Sequence, residues 1–503
     1  MRCIFVEDEG ILIKKSGREN KQIIYPVSER YTTYSVIIIV NYQTTKYRKS
    51  TLAYKADKNG VKTMQQKIKI PFSNLPFESW QNLIIFTIIV FYSISVGYAI
   101  GKSPILSGFA GDYLAFWSAG KIADEKGYSE IYNLKDLKSV QLQELKELGL
   151  LNKFDTSSYA PIPVPLLAIF VFPFQVLSRI NFKLSFLIWT SINLIVMIGY
   201  LIYFTKNIFP GNLQKVPGKK LLLLMLISYP VFRNFSEGQV QVFLVVCAGE
   251  FIHQAINQKP VLSGLWLGGL LLKPQLLILI IPILLCMHYW KAVSGFIISS
   301  IILLVTSFLL SGFAGIKAMV DLWTRYSAGM ATNAPERMLN WRMIGVNINS
   351  ILGTSFGWVI TGLGMALTIV FVCILIKGKP SFGSSALIIT MAAVFSATLA
   401  VTWHSHDHMA VVLIPFLIYA SQFNLLSEKV IFSWAVGTLV MLMAIQIIAV
   451  LFFFITKKSI SGIGYWIAIT GFSLNLLILI SSSRYLHTKQ NISEMPFVDN
   501  PTA

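Results

Sequence analysis

The chain has 503 residues, 54% of them hydrophobic and only 13% charged, with a mean hydropathy of +0.64 and a formal net charge of +19. A soluble protein of this size could not cover so much apolar side chain with polar surface, so the composition excludes a soluble globular enzyme and predicts an integral membrane protein. The positive balance is then expected in cytoplasmic loops, and nucleic acid is excluded as a partner.

Residues 1–79 differ from the rest. "YSVIIIVNYQ" and "QKIKIPF" are short and rich in β-branched residues, with "DKNG" as a turn signal between them, which predicts a small β-rich module. This stretch holds 14 Lys and Arg against 7 Asp and Glu, whereas residues 101–159 hold 7 against 8. By the positive-inside rule the N-terminus is cytoplasmic and residues 101–159 face outward. No secretory leader is expected, because the first long apolar run begins only at Leu83.

That run, Leu83 to Ile100, carries no formal charge. Further candidate spans lie at 160–178, 183–204, 219–256 (one span or two short helices), 260–286, 292–312, 351–376, 384–402, 408–425, 430–456 and 461–483, giving about ten to twelve transmembrane helices. The predicted fold is therefore an all-α multi-pass membrane domain over 80–485, with an outer catalytic loop at 101–159 and a C-terminal tail at 486–503. Two topologies stay open at 160–178. A full crossing would leave Lys206, Lys215, Lys219 and Lys220 outside, against the charge rule, and a re-entrant segment around Pro161, Pro163, Pro165 and Pro173 would return them to the cytoplasm.

Directly after the first span comes "GFAGDYLAFWSAGKIADEKGYSEIYNL", residues 108–134, in which Asp112 stands beside Tyr113, Phe116 and Trp117. One reading makes Asp112 a helix cap. The other makes it a carboxylate whose basicity is raised by aromatic neighbours, able to act as general base toward a hydroxyl arriving from the outer compartment. Next, "LKDLKSVQLQELKELGLL" places Leu134, Leu137, Leu142, Leu145 and Leu148 near helical spacing, which predicts an amphipathic helix on the outer membrane surface, roofing a lateral opening toward lipid.

Polar interruptions follow at "RNFSEGQVQ", "LLKPQLL", "ERMLNWRMIGVN" and "WHSHDHM". Ionisable groups at membrane depth cost about 2.5–3.5 kcal/mol each on insertion scales, so four such places predict one shared polar cavity. Lys273 either snorkels to the surface or marks a broken helix beside Pro274. Glu237 and Gln239 either hydrogen-bond sugar hydroxyls or form a polar turn, and Asn340 and Arg342 either approach the site or stay structural. Arg233, Arg325, Arg337 and Arg342 are further cations able to grip a phosphate. On a helix His404 and His408 would share a face, with Asp407 near by, but no third ligand stands at a characteristic distance and no metal is expected. The four cysteines form no metal-ligand or disulfide pattern.

"GDYLAFWSAGKIADEKGYSEIYNL" resembles the opening motif of glycosyltransferase family 87, the polyprenyl-phosphate-mannose-dependent mannosyltransferases of the GT-C superfamily; its places fall on Asp112, Tyr113, Ala119, Gly127 and Tyr132. "YAPIPVPLLAIFVFPFQVL", "EGQVQVFLVV", "SGLWLGGLLLKPQLLIL" and "TWHSHDHMAVVLIPFL" are similar to that family's later segments in the same order, over residues 80 to 420. The chain departs from the family pattern in the last of these, where Val401 and Thr402 stand in place of Ser-Pro and three His compete for one place.

The resemblance implies a GT-C fold in the plasma membrane and a hexosyltransferase of the EC 2.4.1 type. Mannose would pass with inversion from a polyprenyl-phosphate donor to an extracytoplasmic glycan or glycolipid hydroxyl, with Asp112 as general base. Independently of the resemblance, the candidate ligands of the donor phosphate or sugar are Lys273, Arg342, Gln239, Glu237, Tyr113 and Tyr159, and the candidate groups to orient donor or acceptor are His404, His406 and His408. No cofactor is expected, since no P-loop, nucleophile elbow or Rossmann glycine fingerprint stands in a strand-to-helix context. The alternatives are a lipid-linked sugar flippase or transporter, or a GT-C enzyme using another lipid-linked sugar.

Overall fold

The computed structural model describes residues 77–101, 109–150, 159–208, 219–327, 334–456 and 462–493. The expected β-rich module at 1–79 lies outside them except for its last three residues, which already belong to a helix. By contacts the chain falls into two compact units, Met1–Ser95 and Val96–Ala503. The described residues are helical and contain no strand.

Helix α1 (Phe77–Gly101) is the first apolar run. It is followed by α2 (Gly111–Glu125), α3 (Leu134–Glu147), the short α4 (Phe172–Leu177) and the long α5 (Phe182–Ile208). A chain of short pieces comes next: α6 (Lys219–Leu226), α7 (Tyr229–Glu237), α8 (Val242–Ile256), α9 (Pro260–Gly268) and α10 (Leu277–Cys286). The rest comprises α11 (Trp290–Ser327), α12 (Trp341–Leu352), α13 (Phe356–Leu375), α14 (Ser385–Val401), α15 (Ile414–Gln422), α16 (Glu428–Thr456) and α17 (Ile463–Ser493).

Six helices among the described residues are long and apolar enough to cross a membrane: α1, α5, α11, α13, α16 and α17. Six shorter apolar stretches of 10–17 residues take the places of the candidate spans 160–178, 219–256, 260–286, 384–402 and 408–425. They are shorter than predicted because polar residues interrupt them, and a backbone that leaves helical geometry inside a bilayer is tolerated only where it is buried in protein or lines a cavity. At 160–178 the helical part is confined to Ala168–Leu177, too short to span, which favours the re-entrant alternative.

The pieces pack through small residues. A Cβ at Gly264 of α9 would collide with the carbonyl of Ala292 in α11, and one at Gly295 of α11 with the carbonyl of Val261, so the two backbones touch with nothing between them. Gly120 of α2 meets the backbone of Phe174 in α4 in the same way. Helix α14 is buried on all sides from Leu387 to Val401, which makes it the central post of the domain. Helix α11 is two helices joined at Gly312, whose φ of 63° only glycine adopts easily, and beyond that kink Trp323 Nε1 donates to the carbonyl of Pro165 at 3.2 Å.

Helix α3 forms where the sequence predicts it, but its apolar face is occupied differently. Leu137, Val140 and Leu145 are buried against the protein, and Gln141 of the same face binds the carbonyl and N–H of Ile162, each at 2.9 Å. This face therefore packs on the domain and does not lie against lipid. Helix α17 runs on to Ser493, so the predicted tail begins as helix, and residues 494–503 lie outside the described part.

The backbone contact between α9 and α11 sets a clear expectation. Gly264→Leu should lower stability by about 1–3 kcal/mol or more through overpacking. Gly199→Ala, on α5 with no neighbour within 4 Å, should leave stability unchanged or raise it within about 1 kcal/mol. Thermal unfolding of both variants in the same micelles checks the difference.

Candidate active site

The site is built at a joint between two short helices. Helix α7 ends at Gly238, whose φ of 66° gives the left-handed C-cap, and the carbonyl of Ser236 in its last turn accepts from the N–H of Ala110 at 2.6 Å. Helix α2 starts there. Its cap position is Ala110, which supplies no side-chain hydrogen bond, so Asp112 is not the cap and lies inside the first turn. The missing cap comes from Glu237 instead. Its carboxylate accepts the backbone N–H of Asp112 and lies 2.9 Å from where a Cβ on Gly111 would be.

Asp112 is half-buried and its Oδ2 accepts a hydrogen bond from Gln239 Nε2. Arg233, one turn before Glu237 on α7, binds Glu237 at 2.7 Å and lies within electrostatic reach of Asp112 and Asp407. Burial raises the Asp112 carboxyl above the ordinary carboxylate value, and the charges of Lys273 and Arg233 and the Gln239 bond pull it back part of the way.

Two further helix breaks face this joint. Lys273 sits between two 3-10 turns, Gly269–Leu272 and Pro274–Leu276, with φ −141° and ψ 78°, so the broken-helix reading of this lysine holds. Its charge acts on Asp112 and on His404, His406 and His408. The third break, after α14, carries the histidines. The ring centroids of His404 and His406 are 4.7 Å apart, and those of His406 and His408 are 5.8 Å apart. His404 precedes the 3-10 turn Asp407–Leu413, so it and His408 do not share a helical face. Among the described residues no group of three or more His, Cys, Asp or Glu has a metal-binding arrangement.

The start of α12 holds the histidine loop in place. Leu339 N–H donates to the carbonyl of Ser405 at 2.7 Å, Asn340 Nδ2 to that of Thr402 at 2.8 Å, and Arg342 Nη1 to that of Trp403 at 3.3 Å. The Arg342 guanidinium also lies 4.5 Å above the Trp403 ring. Asn340 caps α12 by accepting from Met343 N–H at 3.0 Å, which makes it structural.

The structure thus brings together Asp112, Glu237, Gln239, Lys273 and the three histidines, with Arg342 beside the histidine loop. It places the two predicted tyrosines elsewhere. Tyr113 is fully buried among Phe174, Phe182 and Phe186, with its hydroxyl bonded to Ser185, because residue 113 points away from residue 112 into the packing face of α2. Tyr159 donates to Gln141 of α3 at 2.9 Å and so fastens the segment that follows it. Arg325 and Arg337 are exposed, and Arg337 lies 3.8 Å from Glu336. Sequence reasoning missed the roles of Arg233 and Asp407. The four-residue spacing of Arg233 and Glu237 on one helix was a usable signal, but the bond between Asp407 and the Tyr229 hydroxyl was not visible in the sequence.

Tyr159→Phe should therefore cost about 1 kcal/mol of stability and leave the apparent affinity for a donor within a factor of about two, as unfolding and steady-state kinetics on one preparation would show. With the geometry in view, comparison with known proteins adds one finding. Residues 164–402 match the model of glycosyltransferase family 87. No curated protein and no solved structure matches the chain. The matched residues include Gln239 and Lys273 and end at the start of the histidine loop, and the match points to a membrane glycosyltransferase that takes a sugar donor and an acceptor.

Proposed function

We propose that the chain transfers a hexose, mannose by its resemblance, from a polyprenyl-phosphate sugar to an acceptor hydroxyl on the outer side of the membrane, with inversion and with Asp112 as general base. The observation that carries this reading is the half-buried Asp112 carboxylate, bonded to Gln239 and within electrostatic reach of the Lys273 ammonium. A single displacement needs a base on the acceptor side and a cation on the leaving-group side, and Asp112 in the first turn of α2 lies within electrostatic reach of Lys273 between its two 3-10 turns.

In the step itself, Asp112 takes the hydroxyl proton as the acceptor oxygen attacks the anomeric carbon. The bond from that carbon to the phosphate oxygen breaks, and the phosphate leaves on its lipid carrier with one more negative charge. Lys273 meets that charge, with Arg233 behind Asp112 and Arg342 beside the histidines adding to the field. The histidines orient donor or acceptor. A donor delivered by lipid suits a site reached between broken helices, and the charge asymmetry of the flanking segments supports an outward-facing position for Asp112.

Purified protein in nanodiscs, offered a panel of polyprenyl-phosphate sugars, tests the reading. Asp112→Asn, which keeps size and loses basicity, should lower turnover by about 10²–10⁴-fold. Equal turnover by wild type and variant rules Asp112 out as base. A flippase would move labelled lipid between leaflets without forming a glycoside. The base must be deprotonated to act, so activity should fall on acidification through a midpoint above the ordinary carboxylate value, since burial raises this group. The pH profile of turnover with saturating donor checks that sign.

A further inference from the structure

We infer that Glu237 is the residue that positions Asp112: its carboxylate, clamped by Arg233, caps α2 and fixes the place of the base, and it does not bind sugar. This rests on the reading of Asp112 as base given above and adds a residue that acts through it.

The Glu237 carboxylate already has two partners in the protein, the Arg233 guanidinium and the Asp112 N–H. Oε1 holds Arg233 at 2.7 Å, and Oε2 lies 2.9 Å from the position of a Cβ on Gly111, where the carboxylate accepts the N–H of Asp112. The side chain is only 14% exposed. Helix α2 needs this acceptor, because Ala110 at its cap position has no side-chain oxygen to offer the first-turn N–H groups.

Glu237 cannot shift without taking Asp112 along. The carbonyl of Ser236 holds Ala110 N–H at 2.6 Å, and Gly238 lies so close to Tyr113 that a Cβ there would come within 2.7 Å of the Tyr113 Cβ. Trp189 Nε1 locks the carbonyl of Gly238 at 2.9 Å. Gln239, next in the chain, then donates to the Asp112 carboxylate itself. The end of α7 and the start of α2 form one rigid unit, whose product is the direction of one carboxylate. The charged groups facing Asp112 are Glu237 and Arg233 from α7 and Lys273 from the break before α10.

The experiment compares wild type, Asp112→Asn, Glu237→Gln and Glu237→Asp in nanodiscs with the polyprenyl-phosphate sugar that wild type turns over. For Glu237→Gln, kcat should fall about 10-fold or more while donor KM stays within about twofold, since an interaction acting only through the base is lost. The acid limb of its pH profile should also move to lower pH, because a negative neighbour of Asp112 has been removed. Glu237→Asp keeps the charge but withdraws it from the helix start, so kcat should fall while the acid limb moves less than in Glu237→Gln. This second variant carries the test if Glu237→Gln does not fold. A rise in KM with kcat and pH profile unchanged would make Glu237 a sugar ligand and overturn the inference, and so would wild-type kinetics in both variants. If Asp112→Asn turns over at the wild-type rate, the general-base reading itself fails, whatever the Glu237 variants do.

Discussion

Charge neutralisation among broken helices is the constraint on which this site depends. Three carboxylates, Asp112 in the first turn of α2, Glu237 at the end of α7 and Asp407 after α14, interact with two cations, Arg233 of α7 and Lys273 before α10. A charge among apolar helices is costly alone, and removing one partner of a buried pair leaves the other uncompensated. Arg233 links the set. It binds Glu237 directly and acts on both Asp112 and Asp407, so the start of α2 and the histidine loop are tied through one guanidinium.

Around that charge set, most of the motif that looks catalytic is packing. In the stretch after the first span, Gly120 lets α2 touch the backbone of α4, and Gly127 turns the chain at a φ of 95°. Tyr132 donates to the carbonyl of Leu166 at 2.7 Å, and Tyr128 to Gln175 at 2.6 Å, so this stretch is stitched to the segment before α4 and to α4 itself. Asp112 is the residue of the motif that stands among the charges. Its neighbours explain why it can be held still: rigid aromatic packing on one side of α2 fixes the helix, and the joint with α7 fixes its first turn.

Membrane class and the places of the breaks were legible in the sequence, because apolar run length and polar interruption are local properties. All four interruptions proved to lie at the site or against it, the stretch at Asn340 and Arg342 as the support of the histidine loop. Side-chain roles were less legible where the partner is remote. Tyr113 and Tyr159 look like site aromatics until Ser185, 72 positions away, and Gln141, 18 positions away, are seen to take their hydroxyls. The amphipathic face of α3 had the same difficulty. Periodicity says that a face is apolar, and only the fold says whether lipid or protein covers it.

The position of Asp112 sets two effects against each other. In the first turn of a helix the positive end of the backbone dipole favours a carboxylate's charged form by about 0.3–1 kcal/mol, which would make it a weaker base. Burial acts the other way and dominates here. Glu237 changes this balance, because a second carboxylate taking up the first-turn N–H groups satisfies the same positive end that Asp112 would otherwise use. The cap thus does more than hold α2 in register: it removes a stabilisation of the ionised Asp112 carboxylate and adds a like charge beside it. Both changes raise the proton affinity of Asp112, and the charges of Lys273 and Arg233 act in the opposite direction.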